Sequence, residues 1–131
     1  MRMAPPYRAR MADAYLVDLL ADFPAVMITG ARAAGKTTTA AKHVARIVRL
    51  DEPGVAATYR ADPDAALRRT DRPVLLDEWQ EVPEVLAAVK RAVDRDPAPG
   101  QFVYLCIQLG ILLAALVFQS YYIVRIRRRR A

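Results

Sequence analysis

Short, largely apolar runs alternate with helical patterns along most of this 131-residue chain. The runs are bounded by Pro, Gly or acidic residues, which is typical of buried strands. They are AVMIT (25–29), RIVRL (46–50), VLLD (74–77) and QFVYL (101–105). Helical spacing or helix-start signals lie between them, near residues 15–20, 36–45, 63–69 and 83–96. This alternation predicts an α/β fold whose parallel sheet is covered by helices on both faces.

Two stretches between these elements carry weaker signals. Asp51, Glu52, Pro53 and Gly54 form a turn signal after the second strand. Residues 59–72 mix charged and apolar side chains without a motif, so we expect a solvated helix and a linker there.

The composition changes after Gln101. Residues 102–124 contain no charged side chain, and five arginines follow in residues 125–131. As a helix, the uncharged run would be about 35 Å long, enough to cross a hydrocarbon core of about 30 Å. We therefore expect a soluble domain over 1–101, a hydrophobic transmembrane helix over 102–124 and an Arg-rich tail. Because that helix competes for the residues of the fourth strand, the strand should be short or absent.

The net charge of +6 belongs mostly to the tail. Without its five arginines, 15 basic residues stand against 14 acidic ones, and the two kinds are interspersed. A nucleic-acid-binding face needs clustered Lys and Arg, so the charge gives no support for that partner. Cys106 is the single cysteine, which excludes an intramolecular disulfide and a cysteine metal cluster. The N-terminus lacks the apolar run of a secretory signal, which predicts a cytoplasmic domain.

The strongest chemical signal is GARAAGKT, residues 30–37, which fits the phosphate-loop pattern G-x-x-x-x-G-K-[ST]. It lies between a predicted strand and a predicted helix, as that pattern requires. Gly30 and Gly35 would let backbone N–H groups wrap a phosphate, and the start of the helix adds its positive end. Lys36 would reach the β- and γ-phosphates, and the Thr37 hydroxyl would coordinate Mg²⁺. The loop therefore predicts that the chain binds ATP with Mg²⁺.

A second signal is VLLDEWQ, residues 74–80, in which an apolar strand ends in two adjacent carboxylates. Ligands bind at this end of the strands in open parallel sheets. Asp77 would hold Mg²⁺ and Glu78 would polarise the attacking water, which makes Glu78 the candidate catalytic residue. An Asp-Glu pair that ends a strand is usually a solvated turn, and the phosphate loop is what favours the catalytic interpretation.

Together these segments resemble a known family. FPAVMITGARAAGKTT, RLDEP and DRPVLLDEWQEVPEVLAAVKRAVDRDPAPGQF look like the AAA-type P-loop ATPases of bacteria and archaea that carry a C-terminal, nuclease-like domain of unknown function. The resemblance covers about residues 7–103. It implies Mg²⁺ binding by Thr37 and Asp77 and water activation by Glu78. It also implies nucleotide binding by Gly30, Ala31, Arg32, Ala33, Ala34, Gly35, Lys36, Thr37 and Thr38.

The chain departs from that family after its fourth strand. The family runs there into a Thr-Gly-Ser-type segment that senses the γ-phosphate, whereas this chain has Cys106, Ile107, Gln108 and Leu109. No fifth strand, helical lid or C-terminal domain follows. We therefore expect the front part of a truncated ATPase that binds nucleotide and hydrolyses it poorly. The alternative is a non-enzymatic remnant of a frameshifted ATPase with a membrane-inserting tail. The oligomeric state is open.

The expected transmembrane helix also conflicts with the expected ATP-binding site. Arginines next to a membrane span normally lie in the cytoplasm, which would place the ATP-binding domain outside. Because folding of residues 1–101 should hold them in the cytoplasm, we expect a single-pass anchor in the inverted orientation, or a helix that lies in the interface. Two further residues are not expected to bind a ligand. His43 has no metal-ligand partner nearby in sequence, so we expect a surface or structural role for it. Trp79 is expected to pack at the domain edge rather than to stack on adenine.

Overall fold

The computed structural model of the protein describes residues 11–30 and 35–107. Its helices and strands alternate as the sequence predicts. In chain order they are α1 (Met11–Asp22), β1 (Ala25–Gly30), α2 (Lys36–Ala41), β2 (Arg46–Arg49), α3 (Pro53–Ala61), α4 (Pro63–Arg68), β3 (Val74–Asp77), a 3₁₀ turn (Trp79–Glu81), α5 (Glu84–Arg95) and β4 (Phe102–Ile107).

The strands of the described residues form one parallel sheet in the order β1-β4-β3-β2. β4, the last of the described strands in chain order, therefore lies between β1 and β3. Because all strands run the same way, their carboxyl ends meet at one edge of the sheet. The predicted α/β architecture with a parallel sheet and flanking helices is confirmed.

Helices cover both faces of the sheet. On one face Leu75, Val103 and Leu105 pack with Ala40 of α2, and Leu20 of α1 borders them. The opposite face carries the larger core, which α3, α4 and α5 complete. Its buried members are Val48, Leu50, Ala56, Tyr59, Ala66, Leu67, Val74, Leu76, Val82, Val85, Ala88, Val89, Ala92 and Phe102. All four residues of β3 are buried, which explains why VLLD is apolar up to its last residue.

The expectation of a short or absent fourth strand is wrong. β4 is six residues long and pairs with β1 on one side and β3 on the other. Phe102 and Val103 are fully buried, so the start of the uncharged run belongs to the sheet core and is not helical. Its remainder, residues 108–124, and the Arg-rich tail lie outside the described residues. Within residues 11–30 and 35–107, no helix combines the length and the apolar character needed to cross a membrane.

The region after β2 also differs from the prediction. The turn signal at Pro53 is the first turn of α3, because Pro is well suited to the start of a helix. Tyr59 and Leu67 are 5% and 1% exposed, so this region is part of the core and is not a solvated linker. The start of α4 is as predicted, since the Asp62 carboxylate accepts a hydrogen bond from the Ala65 N–H at 2.9 Å.

A tight turn aligns the starts of β1 and β4. Gly100 has φ 71°, a backbone conformation that favours glycine, and its N–H donates to the Phe23 carbonyl at 2.9 Å. The Phe102 N–H then donates to the Pro24 carbonyl at 2.9 Å. These bonds set the register in which Ala25 pairs with Phe102 and Gly30 with Ile107.

Candidate nucleotide-binding site

The connection from β1 to α2 carries the phosphate-loop residues. β1 ends at Gly30, and Gly35 precedes α2 in a left-handed conformation with φ 78° and ψ 23°. The Lys36 ammonium donates a hydrogen bond to the Gly30 carbonyl at 2.8 Å. Lys36 therefore folds back over the carboxyl end of β1, where the pattern requires its positive charge. A Cβ on Gly30 would lie 3.4 Å from Lys36 Cδ, so glycine suits this close approach.

The remaining loop residues divide into two groups. Thr37 is half-buried in the first turn of α2, and Thr38 next to it is exposed. Ala31, Arg32, Ala33 and Ala34 lie outside the described residues. The described part of the predicted loop thus lies at the carboxyl end of β1. Thr37, which carries the candidate Mg²⁺-binding hydroxyl, directly follows Lys36 in the sequence.

Asp77 ends β3 at the same edge of the sheet. It is 8% exposed, and its Oδ1 accepts a hydrogen bond from the Glu78 N–H at 3.1 Å. Leu75, two residues earlier, packs against Ala40 of α2. Because alternate residues of a strand share a face, Asp77 is on the α2 side of the sheet. One strand, β4, separates Asp77 from Gly30, a distance of about 10 Å between strand axes.

Glu78 begins a turn that is fixed by hydrogen bonds. Its backbone is left-handed, with φ 52° and ψ 40°, which is uncommon for a residue with a side chain. The Glu78 carbonyl accepts from the Glu81 N–H at 3.0 Å, and the Trp79 indole Nε1 donates to the Leu105 carbonyl at 2.6 Å. Trp79 is half-buried against the α3–α5 core, as predicted. The turn presents the exposed Glu78 carboxylate beside Asp77, at the ligand end of the sheet.

One polar pair on the α2 side of the sheet was not predicted from the sequence. His43 Nε2 lies 3.2 Å from Asp13 Oδ1, which connects the end of α2 to α1. The two residues are 30 positions apart, so no local spacing could indicate the pair. It stands just after the end of α2 that is opposite Lys36, where it connects two helices.

The site residues fit Mg²⁺ better than other metals. Among the described residues, no group of three or more His, Cys, Asp or Glu side chains could hold a metal. Mg²⁺ does not need such a cage, because it usually takes one or two protein oxygens together with water and substrate phosphates. The Thr37 hydroxyl and the Asp77 carboxylate are oxygen donors of this kind.

Comparisons with known proteins show what the chain is similar to. A family model described as an AAA domain matches residues 22–113. An uncharacterised protein of Mycobacterium bovis and another of Mycobacterium tuberculosis are each 35% identical to the chain over 104 residues. The match covers 73% of this chain and 22% of each relative, so the chain spans about a fifth of the length of these proteins. No solved structure matches the chain at a significant level.

Proposed function

The chain belongs to the AAA domain family of nucleotide-binding, ATPase-type proteins, and on that premise we propose that it binds Mg·ATP at the edge of the sheet shared by β1 and β3. The observation that carries the proposal is the 2.8 Å hydrogen bond from Lys36 to the Gly30 carbonyl. It holds an ammonium group over the end of β1, on the same side of the sheet as the buried Asp77.

Each residue has a separate role in this proposal. The backbone of residues 30–35 surrounds the phosphates, and the Lys36 ammonium neutralises their charge. Thr37 and Asp77 would hold Mg²⁺, and the ion would supply positive charge next to the phosphate oxygens. Glu78 orients a water molecule for attack, since its carboxylate is exposed next to Asp77.

We further propose that hydrolysis is slow. Catalysis of phosphoryl transfer depends on charge stabilisation around the transferred group. The resemblance implies a polar residue after QFVYL for this purpose, and the sequence has Cys106, Ile107 and Leu109 around Gln108 instead. Binding without efficient turnover is therefore the expected behaviour.

Isothermal titration calorimetry with Mg·ATP tests the binding proposal. Lys36→Ala should reduce affinity by about 100-fold or more, because it removes the positive side chain that the phosphate-loop pattern directs at the β- and γ-phosphates. Lys90→Ala is the matched control, since Lys90 is an exposed lysine on α5 that pairs with Asp94 on the other face of the sheet. Equal affinities for all three proteins, or no binding by the wild type, would refute the proposal.

Membrane attachment is a separate proposal that now depends on residues 108–124. β4 takes the first six residues of the uncharged run, which leaves residues 108–124, at the lower limit of the roughly 17–25 residues that a helical span needs. Carbonate extraction of the expressed full chain, with protease access to the C-terminus, tests it. Recovery of full-length, monodisperse protein without detergent would refute attachment and would leave nucleotide binding unaffected.

A further inference from the structure

Arg49, the last residue of β2, stands beside Asp77. The two are register partners in neighbouring parallel strands, whose backbones are about 4.8 Å apart. The Leu50 N–H donates to the Asp77 carbonyl at 3.1 Å, which extends the pairing past the end of β2. The backbone of Arg49 is therefore held against the residue that is proposed to bind Mg²⁺.

The two side chains also share a face of the sheet. Val48 and Leu76, which precede them, are paired with each other and both pack in the α3–α5 core. Successive residues of a strand point to opposite faces, so Arg49 and Asp77 point to the α2 side. That is the side on which Lys36 and Thr37 begin α2.

A cavity of about 1090 Å³ follows the outer edge of β2 and is lined mostly by β2, α3, α4 and the residues next to them. Arg49 and Thr37 are both among its lining residues. Arg49 is exposed, and within the described residues its guanidinium forms no hydrogen bond or ion pair. A side chain of this length reaches well beyond the spacing of two strands, so it can approach a phosphate group that is bound beside Asp77.

We propose that Arg49 contacts the γ-phosphate of bound Mg·ATP and makes the site prefer a triphosphate to a diphosphate. The inference rests on the proposed function. The guanidinium is planar, always charged and able to donate two parallel hydrogen bonds to phosphate oxygens. Lys36 lies on the β1 side of the phosphates and Arg49 on the β2 side, so the terminal phosphate stands between two cations.

Arg46 provides the control, because it is an exposed arginine on the same strand and lines the same cavity. It pairs with Val74 at the opposite end of β2, far from Asp77. Calorimetry with Mg·ATP and Mg·ADP on full-length protein should show that Arg49→Ala weakens Mg·ATP about 10-fold and changes Mg·ADP less than twofold. Arg46→Ala should change neither, and Arg49→Lys should recover part of the preference.

The outcomes separate this inference from the proposed function. If Lys36→Ala abolishes binding while Arg49→Ala behaves like Arg46→Ala, the Arg49 contact is refuted and nucleotide binding stands. Equal losses of Mg·ATP and Mg·ADP in Arg49→Ala would also refute the γ-phosphate contact. If the wild type binds neither nucleotide, the proposed function fails and the inference fails with it. Equal melting temperatures of the two Ala variants would show that the comparison is made between folded proteins.

Discussion

The Trp79 indole donates its hydrogen bond to the Leu105 carbonyl at the point where β3 has already ended. The last register pair of β3 and β4 is Leu76 with Tyr104. The indole N–H thus supplies a donor to β4 just beyond the backbone ladder. Since Trp79 directly follows Glu78, this bond connects the candidate catalytic turn to the centre of the sheet.

Trp79→Phe should lower the free energy of unfolding by about 1–3 kcal/mol, because it keeps an aromatic ring but leaves the Leu105 carbonyl without this donor. Urea denaturation followed by circular dichroism measures the change. Tyr15→Phe, at an exposed position on α1, should stay within about 0.5 kcal/mol of the wild type. A Trp79→Phe variant as stable as the control would show that the indole bond contributes nothing.

Trp79 is also the single tryptophan of the chain. Its fluorescence should change when Mg·ATP binds, because the indole is fixed next to Glu78 and Asp77. The change should saturate with ATP concentration and be absent in Lys36→Ala. A saturating change of equal size in that variant would mean that the signal does not arise from the proposed site.

Much of the site was predictable because its motifs are local. Gly30, Lys36 and Thr37 lie within eight residues, and Asp77 and Glu78 are adjacent. The first three strands were recognisable because each is short, largely apolar and followed by Gly or an acidic residue. The motifs did not predict the order of the strands. That order brings the phosphate-loop residues and the Asp77–Glu78 pair to the same edge of the sheet.

The parts that could not be predicted depend on contacts distant in sequence. Phe102 and its neighbours suit a strand or an apolar helix equally well, and pairing with β1 and β3 decides between them. Proline occurs both in turns that follow a strand and at the first position of a helix, so Pro53 was an ambiguous signal. Arg49 carries no motif, and only the register with Asp77 relates it to the site.

Glu78→Gln should change steady-state ATP hydrolysis less than about threefold. Turnover should already be well below about 1 s⁻¹, because charge stabilisation and not water activation limits the reaction. A phosphate-release assay measures both proteins. Turnover of about 1 s⁻¹ or faster that collapses in Glu78→Gln would contradict the proposal of slow hydrolysis.

Gly100→Ala should destabilise the domain by about 1–3 kcal/mol, because alanine is strained at positive φ. Its Cβ would also lie 3.1 Å from the Leu20 carbonyl oxygen. Gly54→Ala is the matched control: it lies in α3 with open space around it, and alanine there should be neutral or stabilising by up to about 1 kcal/mol. Equal unfolding free energies for the two variants would refute the role of the Gly100 turn.

The Asp64 carboxylate joins α4 to α5 through Arg91, whose Nη2 is 2.5 Å from Asp64 Oδ2. The hydrogen bond from Arg91 is the main reason why the pKa of Asp64 lies below its ordinary value, and Arg95 adds to the effect. Because the folded-state pKa is lowered, the pair stabilises the domain above the unfolded-state pKa and loses that effect as pH falls through the folded-state pKa.

Asp64→Asn should therefore lower the melting temperature at pH 7 and differ less from the wild type at acidic pH. Asp94→Asn removes the partner of Lys90 in a more exposed pair within α5, and it should have a smaller effect at either pH. Thermal melts across the pH range compare the three proteins. A difference between Asp64→Asn and the wild type that grows as pH falls would contradict the stated sign.

The central position of β4 has a consequence for synthesis on the ribosome. β1 and β3 have no direct pairing, so the chain that emerges first cannot complete the sheet until residues 102–107 have left the exit tunnel. Until then β1 has no paired strand among the described residues, and the ends of β1 and β3 are not held in register. Among the described strands, β4 is thus the last to be translated, and it is the one that brings the ends of β1 and β3 together at the candidate nucleotide-binding site.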